Sequence, residues 1–239
     1  VTALSAQNVD REELEKNLKE VEFINYQGPH ETIETRKDIM SIGESLAGAV
    51  SDGSFQGQIP GKYRILHLLD PSEPDKTGAD IIIIESGARV DHIRNLRLII
   101  AAYLGRMYGY GNDDSMLLAE FVTYYNAVYR GNIDFFSGRY INRVMTNISR
   151  ENAGIDINYK NWPGNTPLVI PLKSASSAAA PDPFELAEKD VIEDLRKDEG
   201  MGIEQRKKIV ELQEESVTED KKALAVKEAE IAAKGKDTA

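Results

Sequence analysis

His92 stands in the one group of residues in this sequence that could be drawn as an acid–base site. Asp91 precedes it directly, and Glu85 and Ser86 lie upstream, where an apolar run passes into a helix-like segment. A histidine beside carboxylates can exchange protons near neutral pH, which would suit general acid–base catalysis. Carboxylates at the start of a helix are also stabilised by the helix dipole, and this helix-start role is the favoured interpretation.

The turn Ser86–Arg89 offers backbone N–H groups and a cation, the groups that can bind an anion at a helix start. It lacks the glycine pattern of a phosphate loop. None of the three histidines has the spacing of a helical zinc pair. Asp113 and Asp114 lack the companion acids of an EF-hand, so helix capping is favoured over calcium binding. The sequence therefore predicts no catalytic residue, no metal and no cofactor.

Aromatic and cationic residues supply the remaining contact candidates. Trp162 stands in the polar turn Asn161-Trp162-Pro163-Gly164, which makes it a candidate for exposure and contact, although packing over the helices is the favoured interpretation. The tyrosines between Tyr103 and Tyr140 could line a sugar or peptide groove, although aromatics at helical spacing are typical of a core. The candidate ligand or partner contacts are Ser86, Arg89, His92, Arg97 and Trp162.

Three short apolar runs predict the strands of a small sheet. Tyr63–Leu69 and Ala79–Ile84 are joined by fewer than ten polar residues, which permits an antiparallel pair but no parallel crossover. The four consecutive isoleucines of the second run favour a strand covered on both faces. Thr166–Leu172 is a third candidate strand, and its two prolines predict an edge position because each removes a hydrogen-bond donor.

Five further segments have apolar residues every three or four positions and are predicted as helices: about 10–22, 32–50, 90–108, 116–129 and 133–147. The last three are rich in aromatic residues, which contribute large buried areas, so the core is expected there. The predicted fold is α+β and mostly α, with a small antiparallel sheet packed by a helical core.

Composition limits the classes of function. The chain has 239 residues, 40 acidic and 29 basic side chains, a formal net charge of −11 and no cysteine. Disulfides and thiolate sites are therefore excluded. The net negative charge argues against a surface that binds the phosphates of nucleic acids. No stretch approaches the ~20 apolar residues of a transmembrane helix, so no transmembrane span is expected.

The charge divides the chain into parts. Residues 1–180 carry −5 and residues 181–239 carry −6, with a single aromatic residue in the latter part. Apolar residues there recur at every seventh position while the complementary seam is polar, which predicts a solvated helix with weak self-association: Ile203, Val210, Val217, Leu224 and Ile231. The predicted organisation is a globular domain at 9–173, a flexible linker at 174–182 and a charged helical extension at 183–239.

The N-terminal residues 1–8 resemble the end of a secretory signal peptide. Ala3 and Ser5 have the spacing of a signal-peptidase cleavage site, and polar sequence follows at once. We therefore expect a signal-peptide remnant, with a disordered N-terminus as the alternative.

Several short motifs occur in a fixed order from about Val9 to Leu172, among them Phe23-Ile24-Asn25-Tyr26-Gln27-Gly28-Pro29, Tyr125-Asn126-Ala127-Val128-Tyr129-Arg130-Gly131, Glu151-Asn152-Ala153-Gly154 and Ile170-Pro171-Leu172. Together they resemble the spirochaete high-molecular-weight antigen family, the 83/100-kilodalton antigens of Borrelia. Beyond Ser174 the resemblance is one of charged helical character. It implies export to the periplasm or cell envelope and recognition by antibodies, and it brings no catalytic residues.

Two classes of function follow from these observations. The favoured one is a non-enzymatic exported envelope antigen, a structural or protein-interaction module presented on a charged helical spacer. Its expected partners are other envelope or periplasmic proteins, and nucleic acid is not among them. The alternative is a binding module for a cell-wall glycan, a peptide or a small anionic ligand. An enzyme is the third and least favoured reading.

Overall fold

The computed structural model describes residues 21–30, 34–51 and 56–176. The chain divides into two units, one of residues 1–26 and 34–195 and one of 27–33 and 196–239. All described helices and strands belong to the first unit, and of the second only residues 27–30 are described, without a helix or strand. The predicted N-terminal remnant, residues 177–182 of the linker and the charged extension lie outside the described residues. So does most of the predicted helix 10–22, whose last two residues are not helical.

Helix α1 spans Arg36–Ser51 and begins four residues later than the sequence predicts. The start is fixed by a reciprocal cap, in which the Thr35 N–H donates to Asp38 Oδ2 at 2.9 Å and the Asp38 N–H donates to Thr35 Oγ1 at 3.2 Å. Such a cap satisfies backbone donors that have no partner within the helix. The hydrogen bonds from Thr35 also lower the pKa of the Asp38 carboxyl.

The sheet has four antiparallel strands in the order β1, β2, β3, β4. They span Gln56–Ile59, Tyr63–Leu68, Ala79–Ile84 and Thr166–Pro171. The predicted antiparallel pair and the predicted edge position of the third candidate strand, now β4, are confirmed. β1 was not predicted, because Gln-Gly-Gln-Ile has no strand-like alternation. Its pairing with β2 depends on a tight turn in which Gly61 adopts φ +70°.

The edge of β4 is satisfied by a side chain from the helical layer. The Val169 N–H donates to Asn126 Oδ1 at 2.8 Å, and Asn126 Nδ2 donates to the Val169 carbonyl at 2.8 Å. The amide thus replaces a neighbouring strand at that residue, and it is fully buried. Unpaired groups on a strand edge favour association with other strands, and this contact removes two of them.

The remaining helices lie between β3 and β4 in the chain: α2 Ile93–Tyr108, α3 Asn112–Val128, α4 Ile133–Arg139 and α5 Asn142–Met145, followed by a 3₁₀ turn at Tyr159–Asn161. α2 and α3 match the predicted helices closely. Gly111 is the N-cap of α3, so the prediction that Asp113 or Asp114 caps this helix is wrong, and both acids lie in its first turn.

The single helix predicted over 133–147 is wrong, because Tyr140 separates α4 from α5. Its backbone is extended, with φ −100° and ψ 152°, and it forms an isolated bridge with Thr77. The Thr77 N–H donates to the Arg139 carbonyl, and the Ile141 N–H donates to the Thr77 carbonyl. A long-range contact with the loop before β3 therefore overrides a helical sequence pattern.

The core lies where the aromatic helices meet the sheet, as predicted. Tyr125 of α3 is fully buried, its ring contacts several aromatic neighbours, and its hydroxyl lies 2.6 Å from that of Tyr140. α1 packs closely on α2 at Gly43, where an added Cβ would lie 2.0 Å from the Ile99 carbonyl oxygen. Within the described ranges, no helix has the length and apolarity needed to cross a bilayer.

Candidate functional site

A histidine and an aspartate meet on the sheet near one end of strands β2 and β3, each between apolar neighbours. His67 of β2 and Asp80 of β3 are direct cross-strand partners, and His67 Nδ1 lies 2.6 Å from Asp80 Oδ1. Asp80 is fully buried and His67 is 7% exposed. Cross-strand partners on one face have neighbouring Cβ atoms, so the register alone brings this pair together.

Two tyrosines of α2 complete the cluster. The Tyr103 hydroxyl donates to Asp80 Oδ2 at 2.7 Å, and the Tyr108 hydroxyl donates to the same oxygen. The spacing of five residues, together with the end of α2 at Tyr108, brings both rings to one carboxylate. Their edge-to-face contact has a centroid distance of 6.3 Å. We call His67, Asp80, Tyr103 and Tyr108 the Asp80 cluster.

The environment sets the protonation of the Asp80 cluster. The hydrogen bond to Asp80 raises the pKa of His67, against an opposing effect of burial. Burial is the main cause that raises the pKa of Tyr103 and of Tyr108, and the nearby Asp80 charge adds to it. Both hydroxyls therefore stay protonated and donate, and the imidazolium form of His67 is favoured by its carboxylate partner.

This arrangement is better suited to holding elements together than to catalysis. Catalytic His–Asp pairs leave the second imidazole nitrogen open to a substrate or nucleophile, whereas His67 is almost entirely buried. Both carboxylate oxygens of Asp80 are engaged by side chains of the protein. The cluster joins β2, β3 and α2 through three hydrogen bonds to a single carboxylate. No group of three or more His, Cys, Asp or Glu residues in the described part of the chain has a geometry that could hold a metal ion.

The sequence-predicted residues Ser86 and Arg89 lie on the exposed turn between β3 and α2. The turn is tied to the β1–β2 hairpin, since the Gly87 N–H donates to the Gly61 carbonyl at 2.9 Å. His92 is the N-cap of α2, and its Nδ1 accepts from the Arg94 N–H at 3.1 Å. The start of α2 is thus capped by the imidazole of His92 and not by the neighbouring acids Glu85 and Asp91.

Arg97, a candidate contact residue, lies in the core and not at the surface of α2. The residue is 3% exposed, and its Nε donates to Thr123 Oγ1 at 3.0 Å. Its guanidinium carbon lies 4.9 Å from the centroid of the Tyr124 ring and 5.9 Å from that of Phe23. Arginine is weakly hydrated and stacks on aromatic faces, which allows this burial.

Trp162 is packed inside the fold, which was the favoured interpretation, and its candidacy as an exposed contact is wrong. The residue is fully buried, its Nε1 donates to the Asp156 carbonyl at 2.6 Å, and its ring meets Phe23 edge to face. Its polar neighbours made it a candidate for exposure, but in the 3₁₀ turn Lys160 and Asn161 are exposed while the indole is buried. Ser86 and Arg89 are therefore the exposed members of the predicted set, His92 is half-buried, and Arg97 and Trp162 are in the core.

Sequence reasoning missed the Asp80 cluster, although a signal was present. Each of two predicted antiparallel strands holds one ionisable residue at a position flanked by apolar residues, His67 and Asp80. Pairing the strands around the intervening loop would have placed the two opposite each other. The participation of Tyr103 and Tyr108 required the packing of α2 on the sheet, which no local pattern shows.

A second surface feature joins residues from distant parts of the chain. Ile24 and Ile157 are 51% and 40% exposed, and they are the large exposed hydrophobic residues of the described part of the structure. The Ile24 N–H donates to the Ile157 carbonyl at 2.8 Å, and the Tyr159 N–H donates to the Ile24 carbonyl at 3.1 Å. Tyr26 and Tyr159 stand beside them in edge-to-face contact at 6.0 Å. We call these four residues the Ile24 patch.

Comparison with known proteins gives one match. The sequence model of the Borrelia P83/100 protein family matches residues 11–239. The match continues beyond Leu172, where the motifs quoted above end, through the charged C-terminal part. No curated protein matches the chain, and no solved structure does. Since the match covers far more than half of the sequence, the chain belongs to the Borrelia P83/100 protein family.

Proposed function

We propose that this protein is a non-enzymatic, exported envelope antigen whose α+β domain docks another envelope or periplasmic protein through the Ile24 patch. Membership of a Borrelia antigen family supports exposure at the cell surface or envelope. The charged residues 183–239 would serve as the spacer that presents the domain. The observation that carries the docking role is the pairing of the two exposed isoleucines at one place.

The composition of the Ile24 patch suits a protein interface. Interface centres are enriched in aromatic residues and depleted of charge, with a polar rim around them. Ile24 and Ile157 supply the apolar centre, and Tyr26 and Tyr159 supply amphipathic rings that can pack and donate a hydrogen bond. A partner that presents apolar side chains in an extended segment would cover this surface.

The patch is also held in one conformation before any partner arrives. Besides the two backbone hydrogen bonds of Ile24, the Tyr26 N–H donates to the Asp91 carbonyl at 2.9 Å. Asn25 Oδ1 accepts from the Ile93 N–H at 2.7 Å, which ties the segment to the start of α2. Pre-organisation lowers the entropy cost of binding, so a small patch can contribute more affinity.

The non-enzymatic part of the proposal is supported by the Asp80 cluster. It brings a histidine, a carboxylate and two hydroxyl groups within hydrogen-bonding distance, and those groups bond to one another inside the fold. A catalytic group must reach a substrate atom at about 2.6–3.2 Å. Here a bound substrate would have to displace the contacts that hold α2 on the sheet.

Site-directed photo-crosslinking tests the docking role. Because the chain has no cysteine, Ile157→Cys carries the only thiol of the full-length chain and accepts a benzophenone maleimide. The control is Ser137→Cys, at an exposed position of α4, and Ser86→Cys probes the exposed turn that the sequence singled out. We expect a discrete product from position 157 that is absent from position 137.

The crosslinked protein must then be identified and tested in purified form. Its binding should weaken at least tenfold with Ile24→Asn, while Ser137→Asn leaves the affinity unchanged. Equal products from positions 157 and 137, or equal binding by wild type and Ile24→Asn, would refute the docking role.

Export is tested separately by protease treatment of intact and of permeabilised cells, and a protein confined to the cytoplasmic fraction would refute the envelope assignment.

A further inference from the structure

A pocket of about 370 Å³ lies between α1, α2 and the start of α3. Small-molecule sites in proteins commonly have volumes of ~300–1,000 Å³, so this one is large enough for a small ligand. It is a separate site from the Ile24 patch, and none of the residues that line it belongs to the Asp80 cluster. Its floor and walls combine apolar and charged side chains.

One wall of the pocket is a single stripe of α1. Arg36, Met40 and Glu44 line it and are four residues apart, so they lie one above the other on the helix. With a rise of 1.5 Å per residue, the Cα atoms of Arg36 and Glu44 are ~12 Å apart. The wall therefore has a cation at one end, an anion at the other and an apolar side chain between them.

A second cation comes from α2. Arg106 lines the pocket, and its guanidinium lies across Gly48 of α1, with Nε 3.6 Å from the place where a Cβ would stand. Gly48 thus leaves room for this side chain between the two helices. Arg36, Glu44 and Arg106 are all exposed, and none of them makes an ion pair with another residue in the described ranges.

The rest of the lining decides between ligand classes. Met40, Met116, Ala101 and Ala102 give the pocket an apolar surface, which favours a ligand with a hydrocarbon part. The carboxylate of Glu44 would repel a multiply charged anion such as a free phosphate. Arginine binds carboxylates through paired N–H donors, and a carboxylate is the natural acceptor for an ammonium group. The lining therefore matches a ligand that carries both charges.

We propose that this pocket binds a short peptide with free ends, its carboxylate held by Arg36 and its ammonium group by Glu44. Arg106 lies across Gly48, one turn beyond Glu44, and therefore lines the end of the pocket away from Arg36. An extended chain advances ~3.3–3.6 Å per residue, so a peptide of two or three residues fits along a wall of ~12 Å. Small side chains would pack on the methionines and alanines. This ligand class lies beyond the proposed docking function and does not depend on it.

Calorimetric titration of the full-length chain with trialanine tests the proposal, with N-acetyl-trialanine and trialanine amide as matched ligands. We expect binding of trialanine in the micromolar to millimolar range. Acetylation and Glu44→Gln should each weaken it at least tenfold, and acetylation should have no further effect in Glu44→Gln. Amidation and Arg36→Gln should each weaken binding at least tenfold, and amidation should have no further effect in Arg36→Gln.

The control variant is Arg150→Gln, an exposed arginine that does not line the pocket, and it should bind like wild type. All exchanged residues are exposed, and unchanged emission from the buried Trp162 verifies that each variant is folded. The proposal is overturned if trialanine produces no binding heat at about 10 mM, or if acetylation weakens binding equally in wild type and Glu44→Gln. The variant Ile24→Asn should not alter trialanine affinity, so this result is independent of the docking surface.

Discussion

Replacing Asp80 with alanine removes one carboxylate that three side chains share. The change leaves His67 and the hydroxyls of Tyr103 and Tyr108 without their acceptor inside the fold. Breaking a buried ion pair by removing one partner costs about 3–5 kcal/mol, and each unsatisfied buried hydroxyl costs about 1–3 kcal/mol if it finds no new partner. We expect Asp80→Ala to lose at least about 4 kcal/mol, the ion-pair cost alone, which is a large part of the ~5–15 kcal/mol of a typical domain.

The milder variant Asp80→Asn removes the negative charge of residue 80 and keeps a side chain of the same shape. The amide oxygen can still accept from the two tyrosines, while the amide nitrogen then faces His67 Nδ1 and requires a neutral imidazole. We expect a loss of about 2 kcal/mol below pH 6, which is the difference made by a hydrogen bond to a charged group. The same variant should change the pH dependence of stability, because the cause of the raised His67 pKa is removed.

The sign follows from the direction of the pKa shift. In the folded wild type the pKa of His67 is raised above its ordinary value of 6.5, so the folded state binds more protons than the unfolded state above that pH. The contribution of His67 is therefore fully present below about pH 6.5 and is lost as the pH rises through the folded-state pKa. In Asp80→Asn only burial remains, which lowers the pKa, so the contribution of His67 should increase with pH.

Urea unfolding at several pH values between 5 and 9 measures this effect, with Trp162 emission as the signal. Trp162 is the only tryptophan of the chain and is fully buried, so unfolding should shift its emission to longer wavelength. His67→Gln serves as the control, since it removes the titrating group and leaves the pH dependence of all other groups. For wild type and for Asp80→Asn, the free energy of unfolding is compared with that of His67→Gln at each pH. The reasoning is refuted if the two differences change with pH in the same way.

Three further substitutions test other parts of the fold by the same unfolding measurement. Asn126→Ala should cost about 2–4 kcal/mol, because the N–H and carbonyl of Val169 lose their buried partner; a loss below 1 kcal/mol would contradict the edge-covering role. Gly43→Ala should cost about 1–3 kcal/mol or more, since its Cβ would overlap the backbone of α2, and a stabilised variant would show that the helices separate freely. Arg89→Ala, on the exposed turn, should change stability by less than about 0.5 kcal/mol, and a larger loss would indicate an interaction that the exposed turn does not show.

Local patterns were sufficient for most of the fold. The apolar runs of β2 and β3 and the short loop between them predicted the antiparallel pair, and the prolines of β4 predicted its edge position. These features depend on the period of the side chains and on missing backbone donors, both of which are properties of a few neighbouring residues. β1 and the interruption at Tyr140 were missed because each exists only through pairing with a distant segment.

The same distinction applies to the sites. His92 was placed correctly at the start of a helix, where residue type and position suffice. For Trp162 packing was favoured, but its polar neighbours left exposure open, because the direction of a side chain in a turn depends on what the turn packs against. The peptide pocket could not be foreseen, since Arg36 and Arg106 are 70 residues apart in the chain and line one pocket only through the packing of α1 on α2.

By itself the sequence determined the absence of thiol chemistry, the acidic charge and its division along the chain, most helices and strands, and the family. These properties follow from composition, from periodicity and from the order of short motifs. Only the tertiary structure decided that Asp80 gathers His67 and two tyrosines, that Arg97 and Trp162 are buried, and that the segments holding two exposed isoleucines are hydrogen-bonded to each other. The reason is physical: burial and hydrogen bonding depend on atoms that are far apart in the chain and become neighbours only when the layers pack.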